Sequence, residues 1–144
     1  MSKVSILEVK TPDDLKKFVK FPMELYKNNP FYVPSFINDE INIWNAAENP
    51  ALNYSEAKQF LAYKNDKIAG RIAVIINHKE EKELGIKKVR FGWIDFIDDE
   101  EVSQALIQTA IDYAKEKNIN TILLNNKSFI TPYYDKENKM ELHE

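Results

Sequence analysis

The 144-residue chain contains no cysteine, which excludes disulfides, thiolate zinc sites, iron–sulfur clusters and thiol nucleophiles together. It has only three glycines, Gly70, Gly85 and Gly92, so there is no glycine-rich loop to cradle phosphates. Its two histidines, His78 and His143, show no His-Glu-x-x-His spacing, and no metal centre is expected from them. No serine sits in a Gly-x-Ser-x-Gly elbow, which leaves a serine hydrolase unsupported. The longest apolar runs are about five residues, as at Ile72 to Ile76, too short to span a bilayer. Met1 to Thr11 lacks the basic-then-apolar pattern of a secretory leader. A dominant charge is missing too: 20 basic against 23 acidic residues leave a net charge of -3, which argues against a dedicated nucleic-acid binder. What is present is 44% hydrophobic and 12% aromatic residues, enough for a core. A single soluble, cytoplasmic domain without membrane attachment is expected.

Hydropathy periodicity divides the chain into elements. Val4 to Val9 alternates as a short strand. Thr11-Pro12-Asp13-Asp14 is a helix start, in which Thr11 caps, Pro12 suits the first helical position and Asp14 reaches back to the cap amide. Leu15, Phe18 and Val19 form its apolar stripe, and Pro22 interrupts or ends it. From Asn28 to Pro34, two prolines push the residues before them towards extended geometry. A second helix is expected from Ser35, with Ile37, Ile41 and Trp44 at helical spacing. Lys58 to Tyr63 and Ile68 to Ile76, flanking Lys64-Asn65-Asp66-Lys67, read as an antiparallel hairpin. The charge run Lys79 to Glu83 reads as a solvated loop or hairpin end. Lys88 to Ile97 is a third long strand, rich in aromatic and β-branched residues. Asp99 to Asn118 is a helix with Val102, Leu106, Ala110 and Tyr113 in one stripe. Ile119 to Leu124 is a buried strand, and the helical crossover makes it parallel to the third long strand. The order β-α-α-β-β-β-α-β predicts an α/β (α+β) domain: a mixed, mostly antiparallel sheet with flanking helices.

This order, with Phe60 to Ile75 as a hairpin opening on Gly70, resembles the GNAT superfamily of N-acyltransferases. Gly70 to Leu106 and the segment Asn29-Pro30-Phe31-Tyr32-Val33-Pro34 are similar to a bacterial GNAT-like group with an Asn-Pro-aromatic-x-Val-Pro segment between its first helices. The resemblance covers residues 4–124, which sets out a domain at 1–124 and a short tail at 125–144. It implies transfer of an acyl group from acetyl-CoA or another acyl-CoA to a small amine. Backbone groups of Trp93, Ile94, Asp95 and Phe96 would meet the pantetheine arm, and Phe31 and Tyr32 would border the acceptor pocket. Tyr133-Tyr134-Asp135-Lys136 resembles the family's Phe-Tyr-Glu-Lys motif and gives Tyr134 the role of protonating the leaving thiolate, work a neutral phenol can do.

The pattern breaks where the family holds the donor's pyrophosphate. A Gln/Arg-x-x-Gly-x-Gly/Ala turn becomes Asp98, Glu101 and Ser103, and Asp95, Asp98, Asp99, Glu100 and Glu101 crowd five carboxylates into seven residues. Side chains and like charge there oppose a pyrophosphate. Asp98-x-x-Glu101 has the spacing of a helix cap, and acids at that end favour the helix dipole. A divalent-cation loop lacks its alternating ligands and central glycine, leaving attraction of a basic partner or polyamine as the functional reading of the cluster. The degenerate turn leaves open an enzyme with a weakened donor site, or a non-catalytic interaction module on the same fold that uses no cofactor.

A rival motif is Val89 to Phe96, which resembles an RNA-binding RNP1 strand; alternation would put Phe91 and Trp93 on one face for base stacking. Arg90 stands where that motif has glycine, Asp95 shares the aromatic face, and the net charge is wrong. A full GNAT domain continues past its fifth strand with a helix and two more strands, whereas 20 residues follow Leu124. The domain is therefore expected to end incomplete: the tail can supply at most one short strand, with Ser128 to Tyr134 as the segment to cover the edge in part, and an edge left exposed would invite a homodimer.

Overall fold

The computed structural model describes residues 3–34, 36–85, 87–124 and 139–141. Strand β1 (Val4–Glu8) leads into helix α1 (Pro12–Leu25) and the short helix α2 (Ile37–Ile43). After a 3-10 turn at Pro50–Asn53 come β2 (Ser55–Lys64), β3 (Lys67–Asn77), helix α3 (His78–Leu84) and β4 (Val89–Phe96). Helix α4 (Glu100–Glu116), β5 (Thr121–Leu124) and β6 (Lys139–Glu141) complete the order. The six strands lie in sequence order in one sheet, antiparallel throughout except for the parallel pair β4–β5 joined by the α4 crossover. Among the described residues, no helix is long and apolar enough to cross a membrane.

Local chemistry explains most element ends. Thr11 Oγ1 accepts from the Asp14 amide at 3.0 Å, and Asp14 reaches back to the Lys10 amide, one residue before the cap. Pro22 does not end α1; the helix runs on to Leu25 with Pro22 inside it. β2 and β3 are joined by Asn65 and Asp66, with φ of 55° and 62°, the left-handed pair that a tight two-residue hairpin requires and that Asn and Asp tolerate. Asn118 ends the α4 region with φ of 59°.

Two expectations are corrected here. The Lys79 to Glu83 run is helix, not loop: Asn77 caps it, and Gly85 closes it at φ +67°. Its Glu80 is drawn inward, receiving Arg90 Nη2 at 2.8 Å and Lys88 Nζ at 2.6 Å. Burial opposes the Glu80 charge, but those two cations hold its carboxyl below the usual range. The second correction concerns the edge of β5. β6 pairs there, Ile122 facing Met140, so the sheet continues past residue 124 and a homodimer along that edge loses the unpaired backbone that motivated it.

The sheet buries both faces. On one, α4 lays Val102, Leu106, Ala110 and Ala114 over Ile72, Val74, Val89 and Phe91. On the other, α1 and α2 pack Phe18, Val19, Ile37 and Ile41 over Leu61 and Ala73. Gly70 lets α4 approach: a Cβ there would lie 2.8 Å from Leu106 Cδ1, 3.0 Å from Val102 Cγ1 and 3.1 Å from the Asp95 carbonyl. Gly70→Ala should therefore cost about 1–3 kcal/mol through overpacking, read as a lowered urea midpoint at unchanged slope. An unchanged midpoint would mean that α4 shifts freely on the sheet.

Candidate functional site

The site begins with an irregularity in β4. Opposite the two-position step from Arg71 to Ala73 on β3 lies a three-position step from Asp95 back to Gly92, so β4 carries one extra residue. Trp93 sits in it with φ of 48°, a backbone region uncommon for a bulky side chain. Because side chains alternate, one extra residue reverses which face each later residue addresses. Phe91 joins the α4 core, whereas Trp93 packs with the α1–α2 core and Ile94 returns to α4. Phe91 and Trp93 thus point to opposite faces, which removes the paired stacking surface expected of an RNA-binding strand. Trp93 and Asp95 share a face, towards α1.

There they floor a cleft of about 230 Å³ whose walls include Pro22, Met23 and Tyr26 of α1, Tyr32 and Val33 of the following segment, Glu40 of α2 and Arg71 of β3. Arg71 and Asp95 are cross-strand partners, joined by Nε to Oδ2 at 2.9 Å, and Arg71 is buried. Its Nη1 donates to the Phe18 carbonyl at 2.9 Å. That carbonyl lies four residues before Pro22, which has no amide hydrogen to give it. The proline opens a gap in the α1 ladder and the arginine fills it. The guanidinium also lies over the Phe18 ring, 4.9 Å from its centroid.

Tyr26 completes the cluster, its hydroxyl donating to Asp95 Oδ1 at 2.8 Å. Burial, with this bond and the Asp95 charge behind it, pushes the Tyr26 phenol up to about 12 and keeps it protonated. Tyr32 packs on Tyr26 at 5.1 Å between ring centroids; burial raises its phenol as well, against the opposing charge of Arg71. Behind them Trp93, Trp44 and Phe18 form an edge-to-face chain with centroids 4.9 and 6.0 Å apart.

Of the residues singled out from sequence, Trp93, Asp95 and Tyr32 meet in this cleft. Ile94 faces the α4 core, and Phe96 ends β4 partly exposed. Phe31 is 90% exposed and is not among the lining residues. Tyr134 lies outside the described residues. The parallel pairing of β4 with β5 covers Val89–Phe91, and no pairing beyond Phe91 on that side is formed among the described residues. Tyr26, Glu40 and Arg71 were not anticipated. Two signals pointed to Arg71: a single charge inside the apolar run of residues 68–76, and a mid-helix proline whose orphaned carbonyl needs a donor.

At the start of α4 the cap is Asp99, not Asp98; its Oδ1 accepts from the Glu101 amide at 3.0 Å. Lys64 pairs with the other Asp99 oxygen and lies 3.5 Å from Glu101, and its hydrogen bond is the main cause that lowers the Asp99 carboxyl. The helix end is thus served by the chain's own carboxylates.

No family model matches the chain. Protein YghO of Escherichia coli is 32% identical over 110 residues, 76% of this chain and 28% of that protein. A bacterial ceramide synthase of Caulobacter vibrioides is 27% identical over 115 residues, 79% of this chain and 30% of that protein. The chain therefore spans under a third of the curated relatives it matches. Among solved structures, a tandem GNAT protein from the clavulanic acid biosynthesis pathway superposes at TM-score 0.64 with 10% identity, over 92% of this chain and 40% of that one. The fold is that of GNAT acyltransferases, as the sequence resemblance implied.

Two outcomes test this geometry. Arg71→Met leaves Asp95 and the Phe18 carbonyl without their cation and should cost about 3–5 kcal/mol, whereas Arg71→Met with Asp95→Leu should recover part of that loss. A double variant no more stable than the single one would show that the pair is not coupled. Tyr26, and likewise Tyr113, whose hydroxyl donates to Glu56 at 3.0 Å, hold their protons more tightly folded than unfolded. Their contribution is complete below the ordinary phenol value of 10 and is lost as pH rises through the raised folded values, about 12 for Tyr26 and higher still for Tyr113. Urea melts across this range should show falling stability, less steeply in Tyr26→Phe.

Proposed function

We propose that this GNAT-fold domain transfers an acyl group from a thioester to an amine held in the Tyr26–Asp95–Arg71 cleft. The observation that carries the reading is the extra residue in β4, which turns Trp93 and Asp95 into the cleft and adjoins a stretch of strand that, among the described residues, has no β5 partner. An extended pantetheine chain carries two amides and can add to such a stretch as a strand does, at Trp93 to Phe96. Acetyl-CoA or another acyl-CoA is the proposed donor. The relative named a ceramide synthase supports the reading, because a ceramide is an N-acylated amine.

The donor's nucleotide end fits poorly. Asp99 takes the Glu101 amide in the first turn of α4, and Glu100 and Glu101 add charge of the wrong sign. No step is assigned to that end. The thioester supplies the activated carbonyl. The residues of this chain position the amine and move its protons. Glu40 lines the cleft and is the carboxylate proposed to take the proton that the amine sheds as the C–N bond forms and the C–S bond breaks. Asp95 is committed to Arg71 and Tyr26 and holds the cleft wall. Tyr134 is proposed to return a proton to the departing thiolate.

Thiol release with a panel of amines tests this. Acetyl-pantetheine, which lacks the nucleotide, should be used with a KM within about threefold of acetyl-CoA. Glu40→Gln should lower kcat by about 100-fold, and Tyr134→Phe should lower kcat with KM little changed. A strong preference for acetyl-CoA would refute the view of the α4 end. Neither binding nor turnover with either thioester would leave the non-catalytic module, the reading that the self-capped acidic helix favours.

A further inference from the structure

The segment between α1 and α2 exposes its apolar side chains to an unusual degree. Phe31 is 90% exposed, Val33 83% and Phe36 81%, whereas the next large apolar side chain among the described residues, Leu84, reaches 61%. Together they present on the order of 400 Å² of apolar surface, the size at which a patch on a lone domain marks a binding site. Their exposure is not that of a loose loop. Asn29 Oδ1 accepts from the Phe31 amide at 2.9 Å, and the Asn29 carbonyl accepts from the Tyr32 amide at 3.2 Å. Pro30 and Pro34 fix two backbone angles. Tyr32 is turned inward against Tyr26, so its neighbours in the sequence are held outward.

The patch is continuous with the cleft, because Val33 both lines it and stands exposed at its mouth. Inside, Arg71 is committed to Asp95 and to the Phe18 carbonyl, while Glu40 brings a further carboxylate. The cleft therefore suits a cationic head and its rim an apolar tail. Phe31 and Phe36 lie five residues apart, a span of at most ~17 Å in extended chain, comparable to a medium-length alkyl chain.

Building on the acyl-transfer reading, we infer that Phe31, Val33 and Phe36 form a subsite for the hydrocarbon chain of an alkyl amine whose ammonium group sits in the cleft. The test uses 1-aminoalkanes from butyl to decyl, below their micelle concentrations and without donor, followed by calorimetry and by the fluorescence of the two tryptophans, Trp44 and Trp93. Full burial of a methylene corresponds to about fourfold in affinity, so a chain lying on an open rim should gain roughly twofold per methylene. The double variant Phe31→Ser, Phe36→Ser removes only exposed groups outside the cleft lining and should stay folded. It should bind butylamine within twofold of the parent and lose the dependence on chain length.

Affinity independent of chain length in the parent overturns the subsite, as does a dependence that survives the double substitution. A double variant that changes only its oligomeric state, or only its sedimentation with phosphatidylcholine vesicles, also overturns it, in favour of self-association or a membrane surface. Chain-length-dependent binding without thiol release in the transfer assay would sink the catalytic reading and keep the subsite. Thiol release indifferent to chain length would do the reverse.

Discussion

The buried guanidinium of Arg71 is the interaction on which the rest of the cleft depends. It serves three partners from one position in β3: the Asp95 carboxylate on β4, the Phe18 carbonyl on α1 and the Phe18 ring. A planar five-donor group can do this; a lysine ammonium, a single point of charge, cannot hold both directions at once. Burying such a charge costs several kcal/mol, and that cost is offset by the paired carboxylate of Asp95 and by a Phe18 carbonyl that has no helical donor. Pro22, which has no amide hydrogen, leaves that carbonyl free for the arginine. Helix, sheet and cleft are thereby tied by a single side chain.

The extra residue in β4 is the second condition. A regular β4 would send Asp95 into the apolar α4 face, where a carboxylate has no partner, and would set Trp93 beside Phe91. The shift instead brings Asp95 opposite Arg71 and lays Trp93 against Trp44. Trp93 at a φ of 48° is the local cost, of order 1–3 kcal/mol. Aromatic packing and the ion pair beside it hold that conformation in place. The two devices are coupled: Arg71 needs the flipped Asp95, and Asp95 needs a cation to be tolerated where the flip puts it.

Much of the fold was legible in the residues. Thr11-Pro12 marked the start of α1, Asn65-Asp66 the hairpin turn, and the Val102–Leu106–Ala110 stripe the crossover helix, each with a local mechanism. The readings that missed were those in which distant partners overrule local pattern. The Lys79 to Glu83 run looked solvated until Arg90 and Lys88 drew Glu80 inward. Strict alternation put Phe91 and Trp93 on one face, because an inserted strand residue leaves no mark in composition. At the cleft, Tyr32, Trp93 and Asp95 could be named from the resemblance, while Tyr26 and Arg71 are linked across 45 positions and are related only by packing.

Sequence alone therefore determined the order of the elements other than α3 and β6, the single sheet with helices on it and the acidic start of α4, because caps, turns and periodicity act over a few neighbouring residues. Tertiary structure decided which side chains share the cleft, since strand register and the orphaned helix carbonyl are settled only when β3, β4 and α1 meet. It also decided that residues 139–141 extend the sheet, a pairing made by backbone hydrogen bonds that side-chain pattern scarcely encodes.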